Sequence, residues 1–280
     1  MVTFSARFHV RILRQGTACY IVDMSDLVQM NIADGIATLI LNRPEARNAL
    51  SPELIDAMNT AVDQIARQTA SVSGSMNPNV RVMILAGAGK VFCSGMDLKG
   101  VLHDPRKMAD MLRGLSQFMR KLRRLPIPTI ARVQGAAVGG GCGLMVVTDF
   151  AFTHAESKVG YPEVDLGVCP AVVAPWLLKK IGPGRARAML LAGGTMSGQQ
   201  GFEAGLASHL VAQGQLESAS LDLAQKLLKG GPHAMAVTKR WLNELDGSME
   251  DAALDKAAEL SAQVISGKQA QSRLRAVMGE

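Results

Sequence analysis

Two glycine turns and one carboxylate carry the chemistry this sequence permits. Gly95 stands in Phe92-Cys93-Ser94-Gly95-Met96-Asp97, and Gly139-Gly140-Gly141 follows the run Thr129–Val133. Each turn comes after a strand pattern and before residues able to open a helix. Glycine lets a backbone approach a ligand closely, and the free N–H groups of a helix start point at negative charge. Two N–H groups at fixed positions make an oxyanion hole, which stabilises charge developing on a thioester or other carbonyl oxygen. Met96 and Gly140 are the donors this placement selects. The competing reading is that the glycines only permit close helix–strand packing. Glu163, between Pro162 and Val164, is the candidate proton carrier, because partial desolvation would raise its affinity for a proton. Otherwise it is a surface residue capping the next segment. Asp165 and Asp149 are weaker candidates, and Asp149 suits the holding of neighbouring loops.

The elements that must position these groups are legible in outline. Leu27–Ile32 and Ile36–Leu41 flank Ala33-Asp34-Gly35, a hairpin signal. Ser51-Pro52-Glu53 opens a helix with a capping serine and a proline at its first position. A polar loop is expected over Gln68–Asn79 and a strand over Val80–Ala86. Pro105–Leu125 has Met108, Leu112, Leu115, Met119 and Leu122 on one helical face. Met108, Met111, Leu112 and Leu115 could line an apolar pocket, although that spacing more often marks plain core. The basic end, Arg120–Arg124, reads as a solvated complement to the helix dipole. Shorter helices are expected over Trp176–Ile181, Arg185–Leu191 and Ser197–Gly205. Leu216–Lys229, Pro232–Leu245 and Met249–Ile265 form an all-helical end. A mixed α/β core over residues 24–205 thus precedes a helical region over 206–280.

Composition removes several classes. The 280 residues are 48% hydrophobic and 19% charged, as in a globular chain. No apolar run is long enough to span a bilayer. The net charge of +6 is weak support for an anionic partner. Aromatic residues are 4% of the chain and are not interleaved with basic ones, so no nucleic acid is expected. Cys19, Cys93, Cys142 and Cys169 lack metal spacing, the five histidines are scattered, and no metal is expected. Gly87-Ala88-Gly89-Lys90 is no phosphate loop, since Ile84 and Val91 stand where glycine and Ser/Thr belong. Residues 1–23 hold Arg7, Arg11 and Arg14 and one acidic residue, Asp23. They read as a non-native or disordered extension before Met24-Ser25-Asp26, or as an organelle transit peptide. A cytoplasmic location is expected, or an organelle matrix in the second case.

Four motifs in order, Leu41–Leu50, Phe92–Leu98, Gly135–Cys142 and Pro162–Gly167, make the chain from Met24 onward resemble the enoyl-CoA hydratase/isomerase family, the crotonase superfamily. The resemblance implies ββα units coiled into a spiral and a helical C-terminal region that builds trimers or dimers of trimers. It implies an acyl-CoA substrate with no cofactor beyond the CoA moiety. The family's oxyanion donors fall on Met96 and Gly140, and its CoA contacts on Ala46, Arg47, Ala49, Asp97, Leu98 and Lys99. Arg47 could pair with a CoA phosphate or be a solvated loop arginine. Many family hydratases carry a second glutamate directly after the glycine run, where this chain has Gly143. Lineages acting on branched or carboxylated substrates of the methylglutaconyl-CoA type resemble it in that glycine and in Cys169–Pro175. Hydration of a 2-enoyl-CoA is therefore the leading expectation. A double-bond isomerase using Glu163 alone and a catalytically degenerate CoA-binding protein are the alternatives.

Overall fold

A computed structural model describes residues 9–11, 20–69, 79–99, 101 and 104–279. The strands are β1 (His9–Arg11), β2 (Tyr20–Ser25), β3 (Val28–Ala33), β4 (Ile36–Leu41), β5 (Val82–Gly87), β6 (Thr129–Arg132), β7 (Ala136–Val138), β8 (Phe150–Thr153), β9 (Lys158–Gly160), β10 (Thr195–Ser197) and β11 (His209–Leu210). The helices are α1 (Pro52–Thr69), α2 (Pro105–Arg124), α3 (Gly140–Val147), α4 (Ala174–Ile181), α5 (Pro183–Ala192), α6 (Gly198–Glu203), α7 (Leu216–Leu228), α8 (Pro232–Leu245), α9 (Asp251–Ile265) and α10 (Lys268–Met278). The main sheet runs β1-β2-β3-β4-β5-β6-β8-β11, and a small one runs β10-β9-β7. The main sheet is antiparallel up to β4 and parallel beyond it.

Local chemistry explains the first elements. Asp34 and Gly35 both take positive φ, as a tight hairpin turn between β3 and β4 requires. The Ser51 hydroxyl accepts from Leu54 N at 3.3 Å and starts α1. At α2 the cap is Asp104, whose carboxylate accepts from Arg106 N and Lys107 N, both at 3.1 Å. Strand β5 is buried on both faces, as a central parallel strand must be. Met83 and Leu85 join the core that holds α1 and α2, while Val82 and Ile84 join a second cluster with Leu216 and Ala224 of α7.

The small sheet and α10 were not expected. Of the segment set aside from the fold, β2 pairs onto β3 and β1 onto β2, whereas residues 1–8 and 12–19 lie outside the described residues. Residues 70–78 of the expected loop also lie outside them, and α1 runs on to Thr69. The basic end of α2 is paired rather than merely solvated. Arg120 and Arg124 meet Asp251 and Asp255 of α9, and Arg123 meets Asp246. Among the described residues no helix is long and apolar enough to cross a membrane, and no group of three or more His, Cys, Asp or Glu could hold a metal ion.

Candidate active site

The two glycine turns meet. Leu50 and Met96 form a parallel bridge, as do Cys93 and Ala137, so segment 93–96 lies between Leu50 and β7. Leu50 N donates to Gly95 O at 2.8 Å and Asp97 N to Leu50 O at 2.9 Å. Gly95, at φ +97°, packs so closely on β7 that an added Cβ would lie 2.9 Å from Val138 O and 3.9 Å from Gly140 N. Gly139, at φ 56°, is the N-cap of α3, and Gly140 is its first residue. An added Cβ on Gly140 would lie 3.9 Å from Met96 Cγ. Neither Met96 N nor Gly140 N donates a hydrogen bond among the described residues. Two adjacent, unspent donors at a turn and a helix start are what an oxyanion hole requires.

Glu163 completes the cavity. It precedes the short 3-10 turn Val164–Leu166, and its Oε1 would lie 3.1 Å from a Cβ on Gly139. Its Oε2 is buried with no hydrogen-bond partner among the described residues. Burial pushes the carboxyl up from 4.5 to about 7, and the Asp165 charge adds to the rise. Gly95, Met96, Gly139, Gly140 and Glu163 line one cavity of about 120 Å³. The apolar residues weighed between pocket and core divide: Leu112 and Leu115 line this cavity, Met108 is core, and Met111 borders a separate one beside Arg43.

The weaker candidates have other work. Asp165 Oδ2 accepts from Gly194 N at 2.9 Å and braces that turn. Asp149 accepts from Thr129 N at 2.8 Å and from Lys239 Nζ at 2.7 Å, tying β6 to α8. Burial alone would raise its pKa, but Lys239 and Arg123 outweigh burial and hold it below the ordinary value. Cys93 and Cys142 are buried, and burial pushes both thiols up to about 12, so neither is a nucleophile near neutral pH.

Position 143 is closed to a second carboxylate. A Cβ there would lie 2.5 Å from Val173 Cγ1 and 2.7 Å from Met119 Cε. A side chain there would have to displace apolar groups, and Glu163 is the one carboxylate lining the cavity among the described residues.

The expected CoA-contacting segments lie side by side. Ser94 N donates to Arg47 O at 3.1 Å, which sets residues 46–49 against 94–97. Arg47 and Lys99 are exposed, Ala46 and Ala49 half-buried, and Leu98 lines the cavity. Asp97 is engaged internally, with Arg43 Nη2 at 3.1 Å, while Arg43 Nη1 donates to Ala49 O at 2.6 Å. Arg43 and Asn48 are not among the candidate site residues of the sequence, and the structure gives both a bracing role. The buried Asn48 Oδ1 accepts from Arg43 N at 2.8 Å, and its Nδ2 donates to Val91 O at 2.7 Å and Ala88 O at 3.0 Å. Its φ of 53° is one that asparagine tolerates better than alanine. Asn48→Ala is expected to cost about 1–3 kcal/mol in a denaturant titration and to raise KM for a CoA ester more than it lowers kcat.

A family model described as enoyl-CoA hydratase/isomerase matches residues 31–278. A putative enoyl-CoA hydratase of Thermus thermophilus is 30% identical over 225 residues, 77% of this chain and 84% of the relative. A 1,2-epoxyphenylacetyl-CoA isomerase of Escherichia coli is 30% identical over 257 residues, 89% of this chain and 94% of the relative. The crystal structure of an enoyl-CoA hydratase/isomerase from Mycobacterium paratuberculosis superposes with a TM-score of 0.80 at 25% identity, covering 91% of this chain and 99% of that one.

Proposed function

Because the chain belongs to the enoyl-CoA hydratase/isomerase family and has its crotonase fold, we propose that it hydrates a 2-enoyl-CoA with Glu163 as its sole acid/base. The carrying observation is the unpartnered, buried Oε2 of Glu163 at a cavity shared with two free backbone donors. The Glu163 carboxylate takes a proton from water as the water oxygen bonds to C3. The C2–C3 π electrons move to the thioester oxygen, where Met96 N–H and Gly140 N–H stabilise the enolate. The enolate then collapses, and Glu163 returns the proton to C2. Water is thus added with no net change at the enzyme.

A carboxyl that titrates near 7 can both take and give a proton at neutral pH. The exposed cations Arg47 and Lys99 suit the CoA phosphates, and Ala46, Ala49 and Leu98 its uncharged parts. The apolar side chains that α8 leaves exposed, Val237, Trp241 and Leu245, support self-association, as a homotrimer or dimer of trimers would need. The apolar closure of position 143 favours a second reading, in which Glu163 carries a proton between C2 and C4 and shifts the double bond.

Turnover of crotonyl-CoA, 3-methylglutaconyl-CoA and a 3-enoyl-CoA separates the two. Hydration requires a 3-hydroxyacyl product from a 2-enoyl ester. Conversion of the 3-enoyl ester alone would replace it with isomerisation. The base must be ionised, so kcat/KM should fall with decreasing pH through an apparent pKa of about 7. An acidic limb centred near 4.5 would show that burial does not control the group.

A further inference from the structure

The cavity at Glu163 has a wall that the catalytic groups do not use. Ser261 and Ile265 reach it from α9, about a hundred residues further along the chain, and Leu112 and Leu115 reach it from α2. Helix α9 is joined to α2 by a row of ion pairs whose acidic partners on α9 lie one turn apart. Arg113 holds Glu259 through two bonds, at 2.8 and 3.2 Å, Arg120 holds Asp255, and Arg124 meets Asp251 at 2.9 Å. On the inner side, the Ser261 hydroxyl donates to Cys169 O at 2.9 Å and accepts from Val172 N at 3.3 Å. The segment that closes the cavity beyond Glu163 is thus tied to α9, and α9 to α2. Ile265, at this wall, is 1% exposed.

From this arrangement we infer that Ile265 of α9 sets the length of the acyl group, and that the pocket takes a short, uncharged acyl chain. This rests on the acyl-CoA reading above and narrows it. The cavity of about 120 Å³ is well below the ~300–1,000 Å³ of sites that enclose larger ligands. Among the described residues its lining contains no Lys, Arg or His to pair with a terminal carboxylate. A second carboxylate there would be desolvated beside Glu163. The pocket therefore turns away acyl groups of the methylglutaconyl type, which end in a carboxylate, and accepts neutral ones of similar length.

Binding of saturated CoA thioesters tests this by titration calorimetry without any chemical step. Butyryl-, pentanoyl-, octanoyl- and glutaryl-CoA would be offered to the wild type, Ile265→Ala and Ile265→Phe, with thermal melts to verify folding. Ile265→Ala should raise the octanoyl-to-butyryl affinity ratio about tenfold or more, and Ile265→Phe should lower the pentanoyl-to-butyryl ratio. Should Ile265→Ala fail to fold, Ile265→Val shortens the side chain by one methyl and is read in the same direction. Glutaryl-CoA should bind the wild type about tenfold or more below pentanoyl-CoA. Folded variants that keep the wild-type ratios would overturn the role of Ile265, and glutaryl-CoA binding as tightly as pentanoyl-CoA would overturn the uncharged pocket. These ratios do not depend on turnover, so a failure to hydrate crotonyl-CoA counts against the proposed reaction and not against this assignment.

Discussion

Glu163→Gln is expected to lower kcat by about 10²–10⁴-fold while leaving KM for the CoA ester within a few-fold. The amide has nearly the carboxylate's shape, so the cavity between Gly139, Pro162 and Leu166 keeps its form. What it lacks is the proton affinity that burial tunes to about 7. No other carboxylate lines the cavity among the described residues, and Val173 and Met119 occupy the volume beside Gly143 from which another could reach in. A variant with undiminished kcat would remove Glu163 from the proton transfer.

The same substitution has a stability signature of opposite sign. The folded-state pKa of about 7 lies above the ordinary 4.5, so between these values the folded chain binds a proton that the unfolded chain releases. Stability therefore falls as pH rises from about 4.5 to about 7 and stays low above that. Removing the ionisation should stabilise the protein in that upper range, by at most about 3.5 kcal/mol at ~1.4 kcal/mol per pH unit, and by nothing at pH 4. Melting curves of both proteins at pH 4 and pH 8 check the crossover. An activity loss paired with a pH-dependent stability gain marks a group held against its own solvation for function, which a surface cap would not show.

Local signals made the early part of the fold legible, and non-local pairing hid the rest. Asp34-Gly35 and Ser51-Pro52-Glu53 state their structure within three residues. Strands β7, β9 and β10 are three residues long, too short for a period, and their partners lie far off in sequence, as with Ala136 and Lys158 or Thr195 and Gly160. The polarising groups could be chosen from glycine placement because a helix start after a strand exposes N–H groups whatever follows. Arg43 and Asn48 could not, since their partners Asp97, Ala88 and Val91 are brought near only by the fold. The pairing of the α2 arginines is hidden for the same reason. Their spacing marks an exposed face, and nothing local says that Asp251, Asp255 and Glu259 of α9 will lie across it.

The polarising half of the site is tested at Gly95. Gly95→Ala is expected to lower kcat by about 10²–10³-fold, equivalent to about 2.7–4 kcal/mol, with a smaller effect on KM. The reason is geometric. A φ of +97° strains any residue with a side chain, and the new Cβ would stand 2.9 Å from the backbone oxygen of Val138. Backbone cannot rotate away as a side-chain tip can. Either the turn carrying Met96 N shifts, or β7 shifts and takes Gly139 and Gly140 with it, and both change the spacing between the donors. Ground-state thioester oxygen tolerates that change better than a developing enolate, because only the enolate draws on both N–H groups at full charge. Gly214→Ala is the matched control, since among the described residues no atom is found within 4 Å of its added Cβ, and it should leave kcat unchanged. If Gly95→Ala retains wild-type kcat per folded molecule, Met96 N and Gly140 N are not the pair that holds the enolate.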